Sequence, residues 1–149
     1  MSATVAARAR WMAALAQAGP AAVEAAWARL PARPTYRRLR PPETGLVMVR
    51  GRAGGTGAAF NLGEMTVTRC SVELPDGRVG HAYVAGRDLR HAETAAVLDA
   101  MLQDPEERAA LEALVVEPLL AAREARERAA RARAGATRVE FFTMVRGEE

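Results

Sequence analysis

The sequence predicts an α+β fold, an antiparallel sheet of about four or five strands with N-terminal and C-terminal helices. Three observations predict it. Apolar residues recur at helical intervals in residues 4–30 and again after Asp88. The stretch from Glu43 to Gly86 alternates like strands and is broken by glycine-rich and Pro-Asp-Gly turns. Residues 137–147 return to alternation. A chain of 149 residues, half of them apolar, can bury one sizeable core and is read as a single domain over residues 1–149.

Residues 4–17 place Arg8, Trp11, Leu15 and Ala18 at helical spacing, and Gly19-Pro20 separates this run from a second carrying Val23, Trp27 and Leu30. Pro31, Pro34, Pro41 and Pro42 punctuate the next segment, so a strand at Tyr36–Arg40 is expected to be short and at an edge. "GLVMVRGR", "EMTVTRCSVEL" and "RVGHAYVAG" read as strands, the last two joined by Pro75-Asp76-Gly77 as a hairpin. In the middle one, Thr66, Thr68, Cys70, Val72 and Leu74 share a face opposite Met65, Val67, Arg69 and Ser71; neither face is cleanly polar, so a cover is expected on both. Asp88 is placed to N-cap a helix that stacks His91, Ala95, Leu98 and Met101 or Leu102. Pro105 suits a helix start and Pro118 an interruption. Residues 121–134 form a charged helix with Glu124 and Arg128 at i,i+4 spacing, ended by Gly135. "TRVEFFTMVRG" then closes the sheet, with Phe141 and Phe142 on opposite faces, one for the core and one for a partner.

The net charge of +3 is too small to argue for nucleic acid by itself. The charged helix interleaves Glu124 and Glu127 with its arginines and carries no aromatic residue, so neither a nucleic-acid stripe nor a membrane surface is expected. All 21 basic side chains are Arg, a planar fork suited to carboxylate or phosphate. The lone Cys70 forms no intramolecular disulfide and suits a reducing compartment. No segment has the length and apolarity of a signal or membrane span, and a cytoplasmic location is expected.

Two segments concentrate chemistry. "GRAGGTG" puts Gly51, Gly54, Gly55 and Gly57 into seven residues between strands; it can present N–H groups, the Thr56 hydroxyl and Arg50 or Arg52 to an anion, or simply turn the chain. No Gly-Lys-Ser/Thr follows, and a strand rather than a helix comes next, so neither nucleotide-binding glycine fingerprint fits. "GRDLRHAE" gathers Arg87, Asp88, Arg90, His91 and Glu93 where a strand yields to a helix, a place whose free N–H groups favour anions. The alternative is a local cap and ion pair with a buried, hydrogen-bonded His91. His-Ala-Glu lacks the Pro-Cys-x-x-Cys of zinc deaminases, and no other metal-ligand set stands in reach, so no metal is expected. Cys70 reads as core and His81 as a satisfied strand histidine.

Together "RARWM", "ETGLVMVRGRAGGTGAAFNLGEMTVTR", "VELPDGRVGHAYVAGRDLRHAE" followed by "LDAML", and "TRVEFFTMVRG" resemble, in order, the PhnG family of the bacterial carbon-phosphorus lyase system. The resemblance runs from Arg8 to Gly147, is weak over residues 20–40, and keeps only helical character over residues 104–135. It implies a subunit that acts with PhnH-type, PhnI-type and PhnL-type partners to join a phosphonate to the ribose triphosphate moiety of ATP, releasing adenine (alpha-D-ribose 1-methylphosphonate 5-triphosphate synthase). It also implies association with the PhnJ-type radical enzyme. ATP is then a co-substrate of the complex, and no intrinsic cofactor is implied. The catalytic centre is assigned to the PhnI-type subunit, and no catalytic residue is carried onto this chain, which is expected to be inactive alone. A non-catalytic adaptor stabilising PhnI is the alternative. The resemblance moves Gly54, Gly55, Thr56, Gly57, Arg87, Asp88 and His91 forward as candidate anion-binding or interface residues.

Overall fold

The computed structural model describes residues 3–136. Helices α1 (Ala3–Gln17) and α2 (Pro20–Ala28) are followed by strands β1 (Arg37–Arg52), β2 (Ala59–Glu73) and β3 (Val79–Ala85). Helix α3 (Leu89–Met101), the short α4 (Arg108–Leu111), a π-helical turn (Glu112–Val116) and α5 (Glu117–Ala136) complete the described chain. The sheet is antiparallel in the order β1-β2-β3.

The α+β class holds, but the described sheet has three strands rather than four or five. The short strand expected at Tyr36–Arg40 and the "GLVMVRGR" strand are one, β1, because an edge strand tolerates proline where pairing skips a residue. The register breaks between Arg38 and Arg40 and between Arg40 and Glu43, leaving Leu39, Pro41 and Pro42 without partners on β2. The closing strand expected over "TRVEFFTMVRG", with Phe141 and Phe142, lies outside the described residues.

Thr68, Cys70 and Val72 of β2 and Leu74 just beyond it, with Ala82 and Val84 of β3, face α3 and are buried. Trp11, Leu15, Val23, Leu98, Leu102, Val115 and Val116 complete that core from the helices. Gly80 is where α3 comes closest to the sheet: a Cβ there would overlap the Ala96 carbonyl oxygen and the Ala100 backbone nitrogen. The opposite sheet face carries Glu43, Arg69, Ser71, His81 and Tyr83, joined by side-chain bonds such as Arg69 to Glu43 (2.6 Å) and to Tyr83 (3.2 Å). The cover expected there is not supplied by any described helix, since every described helix that meets the sheet meets its other face or its β3 edge.

Helix α1 is fixed to that edge through Asp99 of α3, a fully buried carboxylate. Arg8 donates to both its oxygens (3.2 and 2.7 Å), Trp11 donates through Nε1 (2.8 Å) and the His81 backbone N–H donates at 2.9 Å. Four donors from two elements therefore satisfy the charge and join α1, α3 and β3. Pro118 does not interrupt the helix as expected. It is the second residue of α5, directly after the π-helical turn, where the wider backbone already lacks the regular bond that proline would remove.

Beyond the end of β3 the β1–β2 hairpin continues as a two-stranded arm. Gly86 N–H donates to the Thr66 carbonyl (2.9 Å), which is the last link to a third strand. From Val47 paired with Met65 outward to Arg52 paired with Ala59, the two strands pair only with each other among the described residues.

Candidate functional site

The sequence-derived candidates fall at two places. At the start of α3, Asp88 is the N-cap and its Oδ1 accepts from the His91 backbone N–H (2.8 Å), as the spacing predicts. The carboxylate thereby fills the position in front of the helix that a bound anion would take. The His91 ring is buried, and its Nε2 lies 2.8 Å from the Leu15 carbonyl oxygen. A carbonyl oxygen only accepts, so Nε2 carries the proton and the ring ties α3 to the end of α1. Arg90 pairs with Glu24 across a shallow cavity of about 200 Å³ lined by Pro20, Glu24, Asp88, Arg90, His91 and Thr94. Arg87 is exposed and makes no ion pair among the described residues. It is the cation left available at this end of the helix.

The second place is the tip of the arm. Ala53–Gly55 forms a single tight turn in which Gly54 (φ 59°) and Gly55 (φ 80°) take left-handed backbone. Gly57 N–H donates to the Ala53 carbonyl (3.0 Å), and a Cβ at Gly57 would stand 2.8 Å from that oxygen. Arg52 closes the loop by donating to the Gly57 carbonyl (2.9 Å). Local turn geometry thus explains three of the four glycines. Gly54, Gly55 and Thr56 remain exposed to anything that approaches.

The structure does not bring the two places together. Thr66 adjoins Gly86, whereas Ala59 begins the far end of the same strand, seven residues away; at ~3.3 Å per residue the separation is on the order of 20 Å. One small ligand therefore does not touch both the glycine turn and the Arg87 side chain.

Sequence reasoning missed the cluster around Glu93. Tyr36 Oη donates to it (2.8 Å) and Arg38 donates from Nε (2.5 Å) and a terminal nitrogen (3.1 Å), fixing β1 to α3. Burial opposes ionisation of Glu93, but the hydrogen bonds from Arg38 and Tyr36 outweigh it and hold the carboxyl below its ordinary range. No spacing pattern links residues 36, 38 and 93, so only the fold reveals them. Cys70 lies nearby, buried; desolvation, with the Glu93 charge second, pushes its thiol up to about 11. A neutral buried thiol is a packing group, in keeping with the core role read from its strand position.

Among the described residues no three His, Cys, Asp or Glu side chains stand together as a metal cage, and no helix is long and apolar enough to cross a membrane. The histidine and carboxylates of the candidate region are committed to internal bonds, while among the described residues no layer covers the arm or the sheet's outer face. These features define a small α+β domain with an exposed β-hairpin arm. Residues 6–147 match the family described as phosphonate metabolism protein PhnG, and the chain belongs to that family. It is 46% identical over 145 residues, 97% of this chain and 92% of the relative, to the alpha-D-ribose 1-methylphosphonate 5-triphosphate synthase subunit PhnG of Rhizobium meliloti (strain 1021).

Proposed function

We propose that this chain is the PhnG-type subunit of an alpha-D-ribose 1-methylphosphonate 5-triphosphate synthase, a transferase assembled with PhnH-type, PhnI-type and PhnL-type subunits in the cytoplasm. The carrying observation is the family match across nearly the whole chain, with a synthase subunit as its 46% identical relative. Association with a PhnJ-type subunit belongs to the same reading.

In the reaction a phosphonate oxygen forms a bond to the anomeric carbon of ATP's ribose as the carbon–nitrogen bond to adenine breaks. Adenine leaves with the bonding electrons and takes up a proton. The complex must hold a triphosphate and a phosphonate, stabilise positive charge on the sugar and supply that proton. Of the candidate groups here, Arg87 fits the first need, as an exposed, always-charged fork with no ion pair among the described residues. Asp88 and His91 hold the helix start beneath it, and the glycine turn is a separate, distant contact surface.

The adaptor reading is favoured by a different observation: the arm exposes its apolar side chains with no covering layer among the described residues. The two readings separate experimentally. Complexes carrying Arg87→Ala or Gly55→Asn are purified and checked for composition, and adenine release from ATP is measured with a phosphonate present. Asn keeps the left-handed turn that Val would strain. A direct ligand contact by Arg87 predicts intact composition with adenine release slowed roughly ten- to a hundredfold. Normal turnover returns Arg87 to a structural role, and loss of subunits supports the adaptor. The chain purified alone is expected to release no adenine.

A further inference from the structure

Two elements project from the same end of the domain. The arm departs at Thr66, beside Gly86 and directly before α3. Helix α5 runs alongside α1 in the same direction, since Glu117 pairs with Arg10 while Arg123 and Arg126 reach Gln17. The end of α1 meets the start of α3 through Leu15 and His91. Residues 127–136 of α5 therefore extend about 15 Å past the start of α3, and residues 128–136 are exposed throughout. Arm and helix stand on either side of the Gly86–Arg90 segment.

The arm is not built for water. Leu46 and Leu62 are 62% and 61% exposed, and Met48, Phe60 and Met65 are exposed beside them. A lone two-stranded ribbon is marginally stable, and exposed apolar side chains on both of its faces, Leu46 and Met48 on one and Met65 on the other, mark an interaction site. The charge is equally uneven. The arm, residues 86–90 and residues 124–136 hold eight arginines against four carboxylates, a surplus of four, whereas the whole chain has a surplus of only three.

We propose that this end of the molecule is a two-pronged docking surface for one protein of different sequence, which receives the apolar arm in a groove and presents carboxylates to the arginines of α5 and of the Gly86–Arg90 segment. The proposal rests on the reading of the chain as a complex subunit. A second copy of this chain would bring one basic end against another, a like-charge arrangement that disfavours it. An anionic small molecule would account for the arginines but leave the apolar arm in water.

The test titrates the purified chain into a preparation of the remaining co-expressed subunits and measures affinity at low and high salt. Phe60→Ser/Leu62→Ser in the arm and Arg128→Glu/Arg131→Glu in α5 are compared with Arg33→Glu beside Met101 at the opposite end. Far-ultraviolet dichroism and melting confirm that each variant is folded, and amide exchange of the wild type with and without partners gives a second readout. The arm variant is expected to weaken binding on the order of thirtyfold at either salt. The α5 variant is expected to weaken it roughly tenfold at low salt and little at high salt. Arg33→Glu should bind as wild type, and amides of residues 60–64 should gain protection on binding.

Unchanged affinity for both projecting-end variants, with no added protection in the arm, overturns the proposal while leaving the subunit reading intact. Self-association of the free chain that Phe60→Ser/Leu62→Ser abolishes overturns it in favour of a second copy. Full assembly of both variants with slowed adenine release overturns it in favour of an anionic ligand. Failure of the wild-type chain to bind any subunit removes the subunit reading and the proposal together.

Discussion

Asp99 shows how one buried residue can hold three elements. Its carboxylate satisfies Arg8, the Trp11 indole and the His81 backbone N–H, so truncation strands a buried indole donor, a strand N–H and part of a guanidinium. Asp99→Ala is expected to cost about 3–5 kcal/mol, and Asp99→Asn less because it keeps an acceptor; urea unfolding measures both. Gly80→Ala tests the closest approach of sheet and helix. The added methyl must push α3 backbone outward, and a loss of about 1–3 kcal/mol is expected in the same assay. Glu93 gives the pH dependence a sign. Its folded pKa lies below the ordinary 4.5, so its contribution is fully present above that value and is lost as pH falls through the folded pKa. Glu93→Gln should flatten the acid limb of a stability-versus-pH curve relative to wild type, and an unchanged limb would show that the Tyr36–Arg38–Glu93 link carries no pH-dependent stability.

At the scale of elements, β1 and α5 each continue through prolines that would stop a more regular neighbour. Pro41 and Pro42 survive because β1 is an edge whose register slips at that point, and Pro118 survives because a π-helical turn precedes it. Hairpin signals were legible because their chemistry is local: Asp76 and Gly77 turn the chain wherever it goes, and Gly77 takes φ 86° as the turn demands. The N-cap at Asp88 was legible for the same reason. Cys70 belongs to the element that carries it, the inward face of β2. Its thiol is expected to resist alkylation at pH 8 in the native chain and to react once the chain is unfolded in urea, which mass spectrometry reads directly.

Across the whole molecule, the chemistry is unevenly distributed: the core end is closed by Asp99 and the helices, and the far end extends an apolar arm and an arginine-bearing helix beyond it. Such a division suits the proposed role of a subunit whose groups act within an assembly. It also explains why the candidate residues divide. His91 is consumed in joining α1 to α3 and Asp88 in capping α3, whereas Gly54, Gly55, Thr56 and Arg87 stay accessible at separate places.

The sequence by itself determined the fold class, the α1, α2 and α3 helices, the inward face of β2, the Asp88 cap and the family, because each depends on residues close in the chain or on strings read in order. Only the tertiary structure decided that the Tyr36–Arg40 segment and "GLVMVRGR" are one strand, that Asp99 and Glu93 are junctions, that no described helix covers one sheet face and that the glycine turn stands far from Arg87. Those outcomes depend on pairing and burial between residues up to 91 positions apart. A hydrogen-bond partner at that distance leaves no periodic mark in the sequence, since the free energy that selects it comes from desolvating both groups together and not from the conformation of either segment alone.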